Sequence, residues 1–282
     1  QAAISETIRD DTLAALHLVS QSVENLLDRM AASALFIDQD ETLNDLLFAP
    51  DGVGGGDRFA TLLTLNRVNT IVQNMMFTAI DAQGYVTLVM PDGSVFTNYP
   101  YTMAERRLLQ SRLAEYEPSR AQYIQWTGGQ TNYVSSEQAL NPFVITIEKA
   151  VINNDAPAQF GWLTISLFER EFRTLLADAN ADHLRLLVDS EGTVLSATRP
   201  ELIGTMVQRS LQIDLSGSGA EYYVNEARPQ RRIVAYNTLS KAGWTVVDVR
   251  DDTAVTQALS GDRRLYLFVN LICVVLFGFI AW

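Results

Sequence analysis

An internal repeat constrains the fold of this chain more than any other sequence feature. In the first copy, TLVMPDGSVFT is later followed by FGWLTISLFEREF, and in the second copy LLVDSEGTVLS is later followed by AGWTVVDVRDDTAV. Each copy has two apolar runs around an acidic-Gly turn, which predicts a β-hairpin, and later a Gly-Trp pair that opens another apolar run. The repeat therefore predicts two tandem units of antiparallel sheet, the first larger than the second.

The N-terminal region carries a helical pattern. Its apolar residues recur at spacings of three and four: Leu16, Val19, Val23, Leu26, Met30 and Ile37. This pattern predicts one long amphipathic helix from Ser5 to about Phe36. Such a helix could pair with its twin in a homodimer or pack along its own chain, and both interpretations stay open.

Local patterns place the remaining elements. Helices are predicted at Glu41–Leu47, from Asp57 to about Met75, at Met103–Tyr116 and at Glu169–Leu176. Strands are predicted at Tyr85–Met90, Ser94–Asn98, Tyr123–Trp126, Phe143–Val151, Gly161–Phe168, Arg185–Asp189, Thr193–Ala197, Glu221–Val224, Arg231–Leu239 and Trp244–Val249. Asp214–Gly219 is predicted to be a loop, and Asp251 is predicted to open a further helix.

The C-terminal stretch Leu265–Trp282 predicts a transmembrane helix. Asn270 is its only strongly polar residue, and a helix of this length spans about 27 Å, close to one bilayer crossing. The predicted organisation is a stalk helix and linker at residues 1–56, a membrane-distal unit at 57–180, a membrane-proximal unit at 181–250, and an output helix at 251–282. We therefore expect a piece of a larger membrane protein, with residues 1–262 extracytoplasmic.

Composition excludes several functions. The net charge of −12 argues against nucleic acid as a partner, and Cys273 is the only cysteine, so no disulfide can form within the chain. His17 and His183 are the only histidines, and neither belongs to a recognisable catalytic or metal-binding pattern. No cofactor is expected, and this part of the protein is not expected to be an enzyme.

The order of these elements resembles a double Cache sensor domain, which has two tandem PAS-like units. The long helix Ser5–Phe36, the stretches PDGS and FGWLTIS, and the stretches VDSEGTVLS and AGWTVVDV carry the resemblance. It is most similar to the extracytoplasmic sensors of bacterial histidine kinases of the YesM-like group. The fold class implied is α+β, with a long N-terminal helix, two Cache units and a C-terminal transmembrane helix. The function implied is ligand binding in the distal unit and transmission through the C-terminal helix.

One departure from the family bears on the ligand. Many amino-acid-binding double Cache domains carry an Arg-x-Trp-Tyr run on the pocket strands, whereas residues 122–126 here read QYIQW. Neither the Arg before the Trp nor the Tyr after it is present. Amino acids are therefore not a supported ligand.

A distal pocket is expected between the sheet and the helix Met103–Tyr116. Aromatic side chains provide flat apolar contacts with polar tips, which suits a small-molecule site. Because neighbouring strand residues point to opposite faces, one of Glu148 and Lys149 is expected to face the pocket or to pair internally. Trp162 and Trp244 are expected to be structural. The candidate ligand-binding residues are Tyr99, Tyr101, Arg107, Tyr123, Trp126, Tyr133 and Lys149.

The sequence thus predicts the sensing region of a transmembrane receptor, for which a histidine kinase is the leading interpretation. A chemoreceptor or a diguanylate cyclase would use the same sensor fold with another output. A tail-anchored surface protein of another class is a further alternative. Sensing could also run through a periplasmic binding protein, in which case the distal pocket would be filled by its own side chains.

Overall fold

The computed structural model describes residues 2–48, 58–115, 124–177, 183–207, 215, 217–224 and 231–251. They form an α+β fold with a long N-terminal helix and two antiparallel sheets. The helices are α1 (Ala2–Gln39), α2 (Glu41–Leu47), α3 (Arg58–Met75), α4 (Met103–Glu115) and α5 (Glu169–Leu176), with a π-helical turn at Met76–Ile80 and a 3-10 turn at Pro200–Leu202.

Five strands form the first sheet, in the order β2-β1-β5-β4-β3. They are β1 (Gly84–Val89), β2 (Val95–Thr97), β3 (Gln125–Thr131), β4 (Phe143–Ile152) and β5 (Phe160–Phe168). Another five form the second sheet, in the order β7-β6-β10-β9-β8. They are β6 (Leu184–Val188), β7 (Val194–Ala197), β8 (Ser218–Val224), β9 (Arg231–Thr238) and β10 (Thr245–Asp251). The two orders are identical once the strands are counted within each unit, so the predicted repeat of two PAS-like sheets is confirmed.

Helix α1 joins the two sheets through one hydrophobic core. Its fully buried Leu27 and Met30 belong to a cluster that includes Leu88 and Ile165 of the first sheet and Val246 of the second. Polar contacts fix the same arrangement, because the Glu24 carboxylate accepts hydrogen bonds from Ser240 N at 2.9 Å and from Ser240 Oγ at 2.6 Å. The predicted helix Ser5–Phe36 is therefore found, extended at both ends, and it packs along its own chain.

Helix α5 forms a second junction between the sheets. It begins at the residue after β5 ends, and its Glu169 accepts a hydrogen bond of 2.6 Å from Ser196 Oγ of β7. At its other end, Arg185 of β6 donates to the carbonyl of Leu176 at 3.3 Å. Arg185 also forms a buried ion pair of 3.3 Å with Asp248 of β10. One short helix thus contacts two strands of the second sheet directly, and Arg185 connects it to a third.

The structure differs from the sequence predictions at three segments. Ser218 and Gly219, which were predicted to belong to the loop Asp214–Gly219, are the first residues of β8, because they continue its ladder with β9. β3 runs through Gly128 and Gly129 to Thr131, beyond the predicted end at Trp126. Asp251, which was predicted to open a helix, is the last residue of β10, because it continues the ladder opposite Arg232 of β9. The predicted transmembrane helix at Leu265–Trp282 lies outside the described residues. Among the helices within the described ranges, none is long and apolar enough to cross a bilayer.

Candidate ligand pocket

A narrow cavity lies between the first sheet and helix α4. Its free volume is about 40 Å³. The sheet face away from α1 forms its floor, and α4 covers it. The lining residues are Thr87, Tyr99, Glu105, Leu108, Leu109, Arg112, Gln130, Tyr133, Thr146, Trp162 and Thr164. The cavity therefore combines aromatic, hydroxyl and charged side chains within the first unit.

Strand register builds the floor as rows of side chains. Thr87 of β1 lies opposite Thr164 of β5, which lies opposite Glu148 of β4. The same row continues to Thr97 on β2 and to Gln125 on β3, so that it crosses all five strands. Because alternate residues of a strand share one face, this row lies on the face opposite α1 and forms a polar stripe across it. We call these five residues the polar row.

Most hydroxyl groups of the floor are paired with one another. Thr87 Oγ1 and Tyr99 Oη are 3.1 Å apart, and Thr146 Oγ1 and Ser166 Oγ are 2.8 Å apart. The Tyr133 hydroxyl donates to Ser166 Oγ at 3.1 Å. These bonds satisfy buried polar groups that would otherwise be costly to remove from water. The floor is thus held in place by its own hydroxyl network.

The rings of Tyr99 and Tyr133 form one wall of the cavity. Both pack against the ring of Tyr85, with centroids 4.9 Å and 5.6 Å away. Burial raises the pKa of the Tyr133 phenol well above its ordinary value, and it also raises the pKa of Tyr99. These phenols therefore stay neutral and act as hydrogen-bonding groups rather than as charges.

Glu148 carries the one carboxyl group of the polar row. Burial raises the pKa of this carboxyl, while the nearby charge of Arg112 and a hydrogen bond from the Trp162 side chain oppose the rise. Arg112 is on α4 and lines the cavity mouth. The floor and the cover of the cavity are thus linked electrostatically.

Helix α4 is fixed at its start and anchored along its length. Thr102 and Glu105 form a capping box, in which Thr102 N donates to Glu105 Oε2 at 2.6 Å and Glu105 N donates to Thr102 Oγ1 at 3.2 Å. Gln110 holds the helix to the first hairpin by donating to the Gly93 carbonyl at 2.7 Å. Leu109 is buried against the sheet, whereas Leu108 is 58% exposed at the cavity mouth.

The structure brings two of the predicted site residues together in the cavity, Tyr99 and Tyr133. Tyr101 lies to one side and donates to the Val95 carbonyl at 3.2 Å, and Arg107 is exposed on α4 outside the lining. Tyr123 lies outside the described residues. The role of all five residues in ligand binding stays a prediction.

Trp126 and Lys149 lie on the opposite face of the sheet. Register places Trp126 opposite Ile147 and Lys149 opposite Leu163, which both belong to the core under α1. Trp126 packs against Trp244 of the second unit, with ring centroids 5.6 Å apart. Lys149 is 1% exposed and its Nζ donates to the Ala150 carbonyl at 2.7 Å. Of the neighbouring residues Glu148 and Lys149, Glu148 is the one on the same face of the sheet as the cavity.

Sequence reasoning did not select the hydroxyl residues of the floor. Thr87, Thr146 and Thr164 each interrupt an apolar strand at an alternating position, and Ser166 follows Thr164 by two residues. That periodic placement of small polar residues in apolar strands indicates a polar sheet face, and it could have been used to predict the cavity floor. Trp162, expected to be structural, does pack on Val89 and Leu109, and it also lines the cavity.

Within the described residues, no group of three or more His, Cys, Asp or Glu side chains is arranged to hold a metal ion. The charged lining groups, Glu105 and Arg112, are accompanied only by hydroxyl, amide, aromatic and aliphatic side chains. The arrangement can hold a small molecule by hydrogen bonds and ring contacts.

No protein-family model matches the chain, and no curated protein matches it. Solved structures do match it over most of its length. The ligand-binding domain of the Campylobacter jejuni chemoreceptor Tlp3, in complex with L-valine, is 16% identical with a TM-score of 0.59, and the match covers 89% of this chain and 95% of that one. The extracellular domain of rpHK1S-Z16, described as a histidine kinase, is 14% identical with a TM-score of 0.60 and coverages of 91% and 98%.

The periplasmic sensory domain of the C. jejuni chemoreceptor Tlp1 is similar to the same extent. It is 12% identical, with a TM-score of 0.65 over 90% of this chain and 98% of that one. At identities this low, the structural similarity shows that the fold is shared. It does not show that this chain binds the same ligands as these proteins. The resemblance to double Cache domains is thereby confirmed at the level of the fold: this chain has the tandem-sheet architecture of extracytoplasmic sensor domains of bacterial receptors.

Proposed function

We propose that this chain is the extracytoplasmic ligand-sensing region of a transmembrane signalling receptor, and that a small molecule binds in the cavity under α4. The observation that carries the proposal is the cavity itself, a polar and aromatic site enclosed by a sheet and a helix in the first of two tandem units. Such enclosed sites with a few convergent polar groups are the usual form of small-molecule pockets. The chemoreceptor domains of the same fold, solved with L-valine or L-isoleucine, support it.

A route from the cavity to β10, the last strand of the described residues, supports a signalling role. The floor strand β5 continues directly into α5, which contacts β7 through Glu169 and β6 through the Leu176 carbonyl. Arg185 then connects that end of α5 to Asp248 on β10, the strand that leads to residues 252–282. A ligand that binds one arrangement of these elements more tightly than another would shift their populations. We propose that residues 265–282 carry this shift through the membrane.

The receptor is proposed to be a homodimer whose cytoplasmic output is a histidine kinase. Support comes from the sensor fold that it shares with the extracellular domain of rpHK1S-Z16. A chemoreceptor is the second candidate, because Tlp3 and Tlp1 share that fold equally well. Incubating membranes that contain the natural receptor with labelled ATP separates the two: a kinase transfers phosphate to one of its own histidines, and a chemoreceptor does not.

Ligand binding is tested by thermal-shift screening of the purified 282-residue chain against a broad set of small metabolites. The matched variants are Leu108→Trp, which places a large ring at the cavity mouth, and Leu18→Trp, which alters an exposed leucine on α1 that does not line the cavity. A compound that binds in the cavity raises the melting temperature of wild type and of Leu18→Trp, and has a much smaller effect on Leu108→Trp. A screen without binders, or binders to which Leu108→Trp responds normally, would contradict the proposal.

A further inference from the structure

A second, more open hollow lies beside the cavity in the first unit, and we call it the cleft. Its free volume is about 400 Å³, within the range of about 300–1,000 Å³ that is usual for small-molecule sites. The cavity under α4, at about 40 Å³, has room for only a few water molecules. A ligand of ordinary size therefore needs more space than the cavity alone provides. The lining of the cleft includes Tyr85, Tyr99, Glu137, Asn141, Phe168 and Arg170.

Tyr99 stands between the two hollows. Among the residues that the structure describes, it is the only one that lines both of them. Its ring packs edge-on against Tyr85 of the cleft, with centroids 4.9 Å apart, and its hydroxyl meets Thr87 of the cavity floor at 3.1 Å. If the ring turned away from the floor, the cavity and the cleft would become continuous.

The contacts of Tyr99 hold its backbone more firmly than its ring. Residues 98–102 belong to no helix or strand, but the Tyr99 carbonyl accepts a hydrogen bond of 2.6 Å from Thr97 Oγ1. The neighbouring Asn98 side chain donates to the Gly84 carbonyl at 2.9 Å. The hydroxyl of Tyr99, in contrast, makes a neutral hydrogen bond to Thr87, and such bonds contribute little net stability. The ring is thus able to rotate into the cleft while the backbone stays in place.

The other cover of the cavity is harder to move. Helix α4 is fixed at its start by the capping box of Thr102 and Glu105. Along its length, Arg106 and Gln110 both donate to the Gly93 carbonyl, at 3.0 Å and 2.7 Å. Lifting α4 would break several of these bonds together, so the Tyr99 ring is the part of the enclosure that opens at the lowest cost.

Space, rather than charge, restricts what can enter. A carboxylate and a guanidinium line each hollow: Glu105 and the exposed Arg112 in the cavity, and Glu137 and Arg170 in the cleft. Groups of either charge therefore find a counter-charge there. We propose that Tyr99 is a gate whose ring turns into the cleft, opens the cavity to molecules larger than the closed cavity holds, and so sets the size of the ligand. This inference rests on the proposed function, because it concerns access to the same site.

Reaction of a thiol on the cavity floor with N-ethylmaleimide tests the gate. The reporter is Thr164→Cys in the purified 282-residue chain, combined with Cys273→Ser because Cys273 is the only native cysteine. Thr164 is 3% exposed and lines the cavity, which is too small to admit the maleimide ring while it is closed. When opening and closing are fast, the labelling rate follows the population of the open state.

The decisive variant is Tyr99→Phe, which keeps the ring and removes the hydroxyl that meets Thr87. We expect it to label about fivefold faster at the reporter thiol, as suits the loss of one neutral hydrogen bond. Tyr99→Ala removes the ring and should label faster still. The matched control is Tyr133→Phe, which removes a hydroxyl bonded to Ser166 but lines only the cavity, and it should change the rate little.

A second reporter, Val86→Cys, separates local opening from general unfolding, since Val86 is fully buried in the core on the opposite face of β1. Its labelling should be unaffected by Tyr99→Phe. Equal labelling of Thr164→Cys with and without Tyr99→Phe would overturn the gate, and so would an equal acceleration by Tyr133→Phe or at Val86→Cys. No ligand takes part in these reactions, so they decide the gate whatever the thermal-shift screen finds, and the screen alone decides whether a small molecule binds.

Discussion

At the residue scale, the candidate site depends on where single side chains fall in the strand register. The alternation Thr164, Ser166 in β5 and Thr87 in β1 places small hydroxyl residues on one face, while Leu163 and Ile165 face the core. The sequence contains this alternation, so the existence of a polar face could have been predicted. The pairing of Thr87 with Thr164 and of Thr164 with Glu148 could not, because it depends on strand order, which a single sequence does not specify.

Glu148 makes the stability of the protein depend on pH. The pKa of its carboxyl is raised in the folded protein, so the unfolded chain loses this proton at lower pH than the folded one does. The contribution of Glu148 to stability is therefore most favourable below its unfolded pKa and is lost as the pH rises through the folded pKa. We expect Glu148→Gln to match wild type at strongly acidic pH and to melt at a higher temperature than wild type near pH 7.

Thermal melts of both proteins across this range measure the difference. Glu137→Gln is the control, since Glu137 is half-buried near Tyr85 and outside the polar row. A Glu148→Gln melting curve that follows wild type at every pH would contradict the assignment of the raised pKa to this carboxyl.

At the scale of elements, sequence patterns placed most helices and strands within a few residues. Two regions departed from the local patterns. β3 contains TGGQT, which has weak intrinsic strand preference, and it is a strand because β4 offers a ladder opposite residues 128–131. The π-helical turn at Met76–Ile80 ends at Asp81 in the left-handed conformation, and nothing in its sequence differs from an ordinary helix end. For β3, pairing with β4 decides the structure where local preference does not.

The close approach of β1 and β5 gives an element-scale prediction. A Cβ atom added at Gly84 would lie 2.1 Å from the Ser166 carbonyl oxygen and 2.8 Å from Leu167 Cα, which are backbone atoms of the neighbouring strand. The backbone of a central strand cannot move without breaking the ladder. Gly84→Ala should therefore lower the free energy of unfolding by about 2 kcal/mol or more.

Gly129→Ala is the matched variant for this prediction. Its added Cβ atom would meet only Leu195 Cδ2 at 3.4 Å and more distant atoms, and we expect a change of about 0.5 kcal/mol or less. Urea denaturation of the two variants provides the comparison. Equal stabilities of Gly84→Ala and Gly129→Ala would show that β1 and β5 are not so closely packed.

At the scale of the whole molecule, two features hold the units together: the core under α1 and the polar junction at α5. The repeat in the sequence predicted two units, and the long helical pattern allowed either a dimer or packing along the chain. Neither indicated that Trp126 of the first unit would meet Trp244 of the second. Contacts between units join residues far apart in sequence, so no local pattern reports them.

The buried ion pair at this junction gives a prediction for the whole molecule. Asp248 is fully buried and contacts Arg185 at 3.3 Å and Arg250 at 2.9 Å. Asp248→Ala would leave Arg185 buried without its counter-charge, and we expect it to lower the free energy of unfolding by about 3 kcal/mol. Asp45→Ala, at an exposed position on α2, should change it little.

The same variant tests coupling between the units. Ligand affinity of the cavity should survive in Asp248→Ala at temperatures where it is folded, because Asp248 does not line the cavity. A loss of affinity as large as that of a cavity variant would show that the second unit contributes to ligand binding, either directly or through α5. Denaturation curves and titrations on one preparation distinguish these results.

The direct continuation of β5 into α5 has a mechanical consequence. Glu169 opens α5 immediately after Phe168 ends β5, with no loop residue between them. Thr164 and Glu169 are therefore separated by about 16 Å of extended chain, at roughly 3.3 Å per residue. A loop would absorb a small displacement, but β5 is hydrogen-bonded to β1 and β4 on both sides and moves only together with the sheet. A displacement of the sheet at Thr164 would therefore pass to Ser196 of the second sheet through its hydrogen bond to Glu169.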